Sequence, residues 1–171
     1  MAAGVVQPLN PLAWLGAPAL ACAAGSLLLT IPVEIAGVGL PQPVLAMVPA
    51  FAWAVIRPSV VAPFVLILLG LFQDLLWGDR LGLWPSALLA AHAMGVSARP
   101  LLVGQGFWTQ WGWYLAALGA GFGVAVALTF LATGQAPDPG GLAIQVLATA
   151  AVFWPAWRLI AAYEDADVRF K

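Results

Sequence analysis

The side chains able to do chemistry are few and scattered. Asp74 lies inside the apolar run Leu68-Leu69-Gly70-Leu71-Phe72-Gln73-Asp74-Leu75-Leu76-Trp77. A carboxylate at the centre of a lipid-facing helix costs about 2.5–3.5 kcal/mol, so Asp74 must face protein or water. Two placements fit: a polar anchor on a helix-packing or partner-docking face, or a group near the outer end that reaches headgroup water. His92 is the only histidine and Cys22 the only cysteine. An imidazole with no Cys, Asp or Glu neighbour cannot assemble a metal site. His92 is therefore expected to be buried against a backbone carbonyl, with a bond to Asp74 across two helices as the alternative. A single cysteine excludes a disulfide within the chain. No Ser sits beside a base, no His or intramembrane carboxylate pair occurs, and no Gly-rich phosphate loop follows a strand, so catalysis, cofactor and metal are not expected.

The elements that must position these residues follow from composition. Of 171 residues, 63% are hydrophobic and 8% charged, with a mean hydropathy of +0.98. Soluble chains carry about 25% charged residues, which excludes a soluble globule. A net charge of -1 and a pI near 5.6 offer no basic patch for nucleic acid. A spanning helix needs about 20 residues, so the chain has room for six helices and short loops in a single membrane domain with lipid as its surroundings. Apolar runs between Gly and Pro turn signals place the spans at about 12–33, 42–56, 60–77, 84–103, 110–132 and 141–161. The fold class is thus all-α and polytopic. The second span is short, carries Pro49, and could be kinked or re-entrant. The N-terminal MAAGVVQPLNP lacks the basic region of a secretory signal, so the first span is expected to be retained.

Orientation follows from the basic residues. With both termini cytoplasmic, the inner loops hold Arg57, Arg99, Arg158, Arg169 and Lys171, and the outer loops only Arg80, a bias of five against one. Glu34, Asp79 and Asp138 fall outside. Trp14, Trp53, Trp108, Trp111, Trp154 and Trp157 lie near the inner boundary, Trp77 and Trp84 near the outer one, and each is expected to anchor at the interface. The charged end, Tyr163 to Arg169, reads as a solvated tail.

Small residues mark the packing faces. Gly70, Asp74 and Gly78 recur every fourth residue and share one helix stripe, where a neighbouring backbone could shield the carboxylate. In span five Gly119 and Gly123 form a GxxxG pair, joined by Gly112, Ala116, Ala120, Gly121 and Ala127; packing within the molecule is the expectation for them.

The stretch from Phe64 to Val103 resembles the MreD family of bacterial rod-shape proteins. The resemblance is carried by Gly70-Leu71-Phe72-Gln73-Asp74-Leu75-Leu76, a Gly-rich turn with Gly82-Leu83, and an apolar helix ending in Arg99. Where the family often has Pro-Leu-Gly, this chain has Arg80-Leu81-Gly82. The resemblance implies a non-catalytic scaffold of the cell-elongation machinery in the bacterial inner membrane. Its implied partners are an MreC-like single-pass protein, MreB filaments, and the glycosyltransferase and transpeptidase of lateral peptidoglycan synthesis. The outer ends of spans three and four, with Gly70, Asp74, Gly78, Gly82 and Trp84, would bind the MreC-like protein. The family fold is similar to that of substrate-binding subunits of vitamin transporters. The alternative is therefore a transporter subunit whose enclosed pocket uses Trp, Asn and acidic side chains.

Overall fold

The computed structural model describes residues 12–30, 34–35, 38–39, 41–56, 58–102 and 104–168, with side chains in the last helix described as far as Trp157. Sequence expectations for residues 1–11, Arg57, Arg169, Lys171 and the side chains of Glu34 and Arg158 lie outside the described residues.

The described chain is helical apart from one small hairpin. A π-helical turn, Leu12–Gly16, runs into α1, Ala17–Leu29. A two-residue-per-strand antiparallel hairpin, β1 at Glu34–Ile35 and β2 at Val38–Gly39, precedes α2 at Met47–Val55. Then come α3 (Ala62–Trp77), α4 (Leu83–Leu102), α5 (Phe107–Thr133) and α6 (Pro139–Val168). The six α-helices coincide closely with the six apolar runs of the sequence. The backbone of α6 stays helical through the charged Tyr163–Val168 segment.

Proline sets several of these starts. Pro49, Pro63, Pro85 and Pro139 each fall in the first turn of α2, α3, α4 and α6. There the missing N–H is one that has no intrahelical partner anyway. Asp138 caps α6 from outside, accepting the Gly141 N–H on Oδ2 at 2.6 Å.

α4 is the hub. It packs along α5, α2 and α3, while α1 rests on α3, and α6 touches α5 and α2. The interior is filled by Met47, Phe51, Trp53, Leu66, Leu88 and Leu118, with Tyr114 stacked on Phe153 at a centroid separation of 4.3 Å. Outside, α5 and the Pro139–Trp157 part of α6 are long and apolar enough to cross a membrane. Only 28% and 17% of their most apolar windows are buried, unlike the core helices of a soluble protein. This apolar outer surface supports a membrane location.

The exception is α2. All nine of its residues are buried, and at 1.5 Å per residue it is about 14 Å long, against about 30 Å of hydrocarbon. Enclosure corrects one expectation: Trp53 is 1% exposed and belongs to the core, not to an interfacial belt. Trp108 and Trp154, at 77% and 55% exposure, stand where anchors are expected.

Candidate functional site

Asp74 organises the turn between α3 and α4. α3 ends on Gly78, whose φ of 71° is the left-handed conformation that glycine adopts without a Cβ clash. The Asp74 carbonyl accepts the N–H groups of both Gly78 and Asp79, the latter at 2.9 Å. Its carboxylate turns the other way: Oδ2 accepts the Gly82 N–H at 2.6 Å and Oδ1 the Trp84 N–H at 2.9 Å. These are among the first N–H groups of α4, which have no partner inside their own helix. A carboxylate at this end is also favoured by the helix dipole. Asp74 thus caps α4 from the neighbouring helix.

Burial decides between the two placements of Asp74. It is 0% exposed, so it does not reach headgroup water; it is the polar anchor of a helix-packing face. Nor does it meet His92, whose Nδ1 lies 2.8 Å from the Ala50 carbonyl oxygen, as expected for a lone buried histidine. Since a carbonyl only accepts, Nδ1 carries the proton.

The other candidate residues of this turn have separate tasks. Gly70 lets α3 touch the start of α4: a Cβ there would overlap the Pro85 backbone, with Cδ at 2.7 Å. Gly82, at φ 99°, turns its N–H onto Asp74. Trp84 is buried, which corrects its expected interfacial placement. Its ring stands edge-on to Trp77 and Phe122, with centroids at 5.1 and 5.9 Å, and its Nε1–H donates to Asp79 Oδ2 at 2.8 Å. The turn between these fixed points leaves Asp79, Arg80 and Leu81 exposed, Leu81 at 69%.

A second polar set holds α2. The Val44 N–H donates to Thr149 Oγ1 at 3.0 Å, and that hydroxyl donates to the Gln145 carbonyl at 2.7 Å. Gln145 Nε2 donates to the Gln42 carbonyl at 3.1 Å, and Trp77 Nε1 to Gln42 Oε1 at 2.6 Å. Tyr114 Oη donates to the Thr149 carbonyl at 3.2 Å. Pro49 cannot bond the Leu45 carbonyl, which accepts the Val48 N–H and the Cys22 thiol instead. At the far end Arg99 Nε donates to the Val55 carbonyl at 3.1 Å. Sequence reasoning missed Gln42, Gln145 and Thr149. The available signal was the four-residue spacing of Gln145 and Thr149, polar residues on one face of an apolar helix.

Gly119 and Gly123 are corrected as well. Both are exposed, and a Cβ on either meets nothing within 4 Å, so the pair does not pack within the molecule. Gly121 does, against Met47 and the Ala87 carbonyl. Among the described residues no group of three or more His, Cys, Asp or Glu side chains could hold a metal ion. Beside the α3 end lies an open cleft of about 380 Å³ lined by Thr30, Pro41, Gln42, Leu76, Trp77 and Gln145. No family model, curated protein or solved structure matches the chain.

Thermal unfolding in detergent should separate these roles. Asp74→Ala leaves the buried Trp84 N–H and the half-buried Gly82 N–H unpaired, about 1–3 kcal/mol for a buried group, and is expected to lower the midpoint strongly. Asp74→Asn, which keeps one acceptor, should fall between it and wild type. Gly70→Ala should destabilise by about 1–3 kcal/mol through overpacking. Gly119→Ala should be neutral or stabilising by up to about 1 kcal/mol, the helix-propensity gain. Equal midpoints for Asp74→Ala and Gly119→Ala would refute the capping role.

Proposed function

We propose that the protein is a six-span, MreD-like scaffold of the bacterial inner membrane that joins cell-elongation partners without catalysing a reaction. The observation that carries this reading is the turn between α3 and α4. The residues that resemble the family motif, Gly70 to Leu76 and Gly82-Leu83, are the ones that build a rigid, outward-facing knuckle, with Asp74 buried beneath it. A fixed turn presenting Arg80 and Leu81 loses little entropy on binding, as a docking point requires. On this reading the knuckle receives an MreC-like single-pass protein, and the assembly recruits MreB filaments and the lateral peptidoglycan glycosyltransferase and transpeptidase. The transporter-subunit alternative calls for an enclosed pocket with acidic groups; the cleft at Trp77 is open, and none of its described lining residues is charged.

The six-span topology, with both termini cytoplasmic and the second crossing made by the short α2 together with the non-helical residues that flank it, rests on the five-to-one distribution of Arg and Lys. Reporter fusions after Arg99 and Lys171 should read as cytoplasmic, and fusions after Arg80 and Asp138 as periplasmic. A periplasmic C-terminus would remove the model.

The scaffold role is tested by co-expression with an MreC-like protein and affinity purification in mild detergent. Wild type should recover the partner stoichiometrically. Leu81→Glu, a change at an exposed position, should cut recovery at least tenfold, about 1.4 kcal/mol, with an unchanged melting midpoint. Recovery of an ATPase module in place of the MreC-like protein, or a saturable midpoint rise with thiamine, riboflavin or biotin, would favour the transporter reading instead.

A further inference from the structure

The end of the bundle opposite the knuckle holds a cation without a counter-charge. Arg99 lies in the last turn of α4, half-buried, with Nε donating to the Val55 carbonyl at the end of α2. A guanidinium has five N–H donors, so four remain on the two Nη atoms. None of these four bonds a described residue, and Arg99 has no acidic partner among the described residues. The carboxylates whose side chains are described all lie at the other end. Asp74 and Asp79 support the knuckle, and Asp138 opens α6 after α5 has carried the chain back there. The acids of the last helix begin at Glu164, seven residues or about 10 Å along α6 from Trp157, whose ring lies beside Phe107 at the start of α5. Around Arg99 the surface is apolar: Val96, one turn back on α4, and the adjoining Pro100 are exposed, as are Val60 and Val61 in the turn that follows Val55.

We propose that Arg99 is the headgroup site for one anionic membrane phospholipid, with its phosphate on the two Nη groups and its acyl chains against Val96 and the adjoining apolar surface. A charge beside hydrocarbon calls for a counter-charge, and this end of the described structure supplies none. The planar fork of a guanidinium matches two phosphate oxygens. The bond to Val55 fixes the direction of that fork before a lipid arrives, which lowers the entropy lost on binding. Phosphate is also the anion that a bilayer presents at the depth where its helices end, and basic sites between helices there hold anionic headgroups. A zwitterionic headgroup would add an ammonium, and no described carboxylate lies at this end to receive it. Inorganic phosphate would meet the same fork but gain nothing from the apolar surface around it. The proposal needs only the membrane location and stands apart from the scaffold reading.

The test titrates the full chain in detergent with phosphatidylglycerol, phosphatidylcholine or inorganic phosphate and counts adducts by native mass spectrometry. Wild type should bind one phosphatidylglycerol at least about tenfold more tightly than either of the other two. Arg99→Gln, which removes the charge, should bring the two lipids within about twofold of each other. Arg99→Lys keeps the charge without the fork and should fall between Arg99→Gln and wild type. Because Arg99 also bonds the end of α2, a second variant leaves it in place. Val96→Glu sets a carboxylate three residues before Arg99 at an exposed position, where it can pair with the guanidinium. It should abolish the lipid preference while keeping the wild-type melting midpoint. Equal affinity of wild type for the two lipids, or a preference that survives in Arg99→Gln or Val96→Glu, would overturn the proposal. Inorganic phosphate bound as tightly as phosphatidylglycerol would overturn the lipid as occupant.

Discussion

A nine-residue helix buried at the centre of the bundle is too short to cross the hydrocarbon layer by itself, so both of its main-chain ends lie inside the protein. Where water is absent every unsatisfied N–H or C=O costs several kcal/mol, and other parts of the chain must supply partners. Much of the remaining structure can be understood as meeting that demand. α6 reaches in with Thr149 and Gln145 at the start of α2, α1 offers Cys22 to the Leu45 carbonyl just before it, and α4 contributes His92 and Arg99 along the rest. These five side chains inside an apolar chain are therefore structural, and each is bonded to main chain. α6, which touches only a limited part of the bundle through apolar contact, is held in place by this polar pairing.

The same solution recurs where α3 meets α4. α4 starts close against α3, and its first N–H groups would be orphaned there. Asp74 accepts two of them, Gly70 gives the space, and Gly82 provides the backbone conformation that brings its own N–H to the carboxylate. Because α4 is the hub on which α2, α3 and α5 pack, fixing its first turn fixes the register of the whole bundle against the exposed knuckle. A buried carboxylate thereby becomes the support of a surface proposed to bind a partner.

How much of this the sequence carried depends on the range of the interaction. The helices were legible because apolar runs and Pro or Gly punctuation act locally; even Pro49, Pro63 and Pro85, which look like breakers, sit in first turns. The close packing at Gly70 and the polar anchor at Asp74 were legible from their shared stripe. The water-reaching placement of Asp74 failed because its partners, Gly82 and Trp84, become adjacent only when the chain doubles back after Gly78. Gly119 and Gly123 were assigned inward, yet the bundle turns Gly121 inward, about 200° around the same helix. Small residues on all sides of α5 leave periodicity silent about which face packs. Trp53 was placed at an interface because it lies near the end of an apolar run, but that run is enclosed on every side. The Gln42, Gln145 and Thr149 set pairs residues more than a hundred positions apart, beyond the reach of any local pattern.

The central claim is that side chains from other helices satisfy the main-chain ends of α2. Amide hydrogen exchange of the detergent-solubilised full chain, wild type against Thr149→Val, tests it most directly. The substitution keeps the shape of the side chain and removes the acceptor for Val44. The account predicts a Val44 amide protected in wild type like the interior of α4, although it precedes the helix. It should exchange at least tenfold faster in the variant, while Gly82 and Trp84 keep their rates. A Val44 amide that exchanges as fast as the exposed turn at Arg80 in wild type, or that is unaffected by Thr149→Val, would contradict the account.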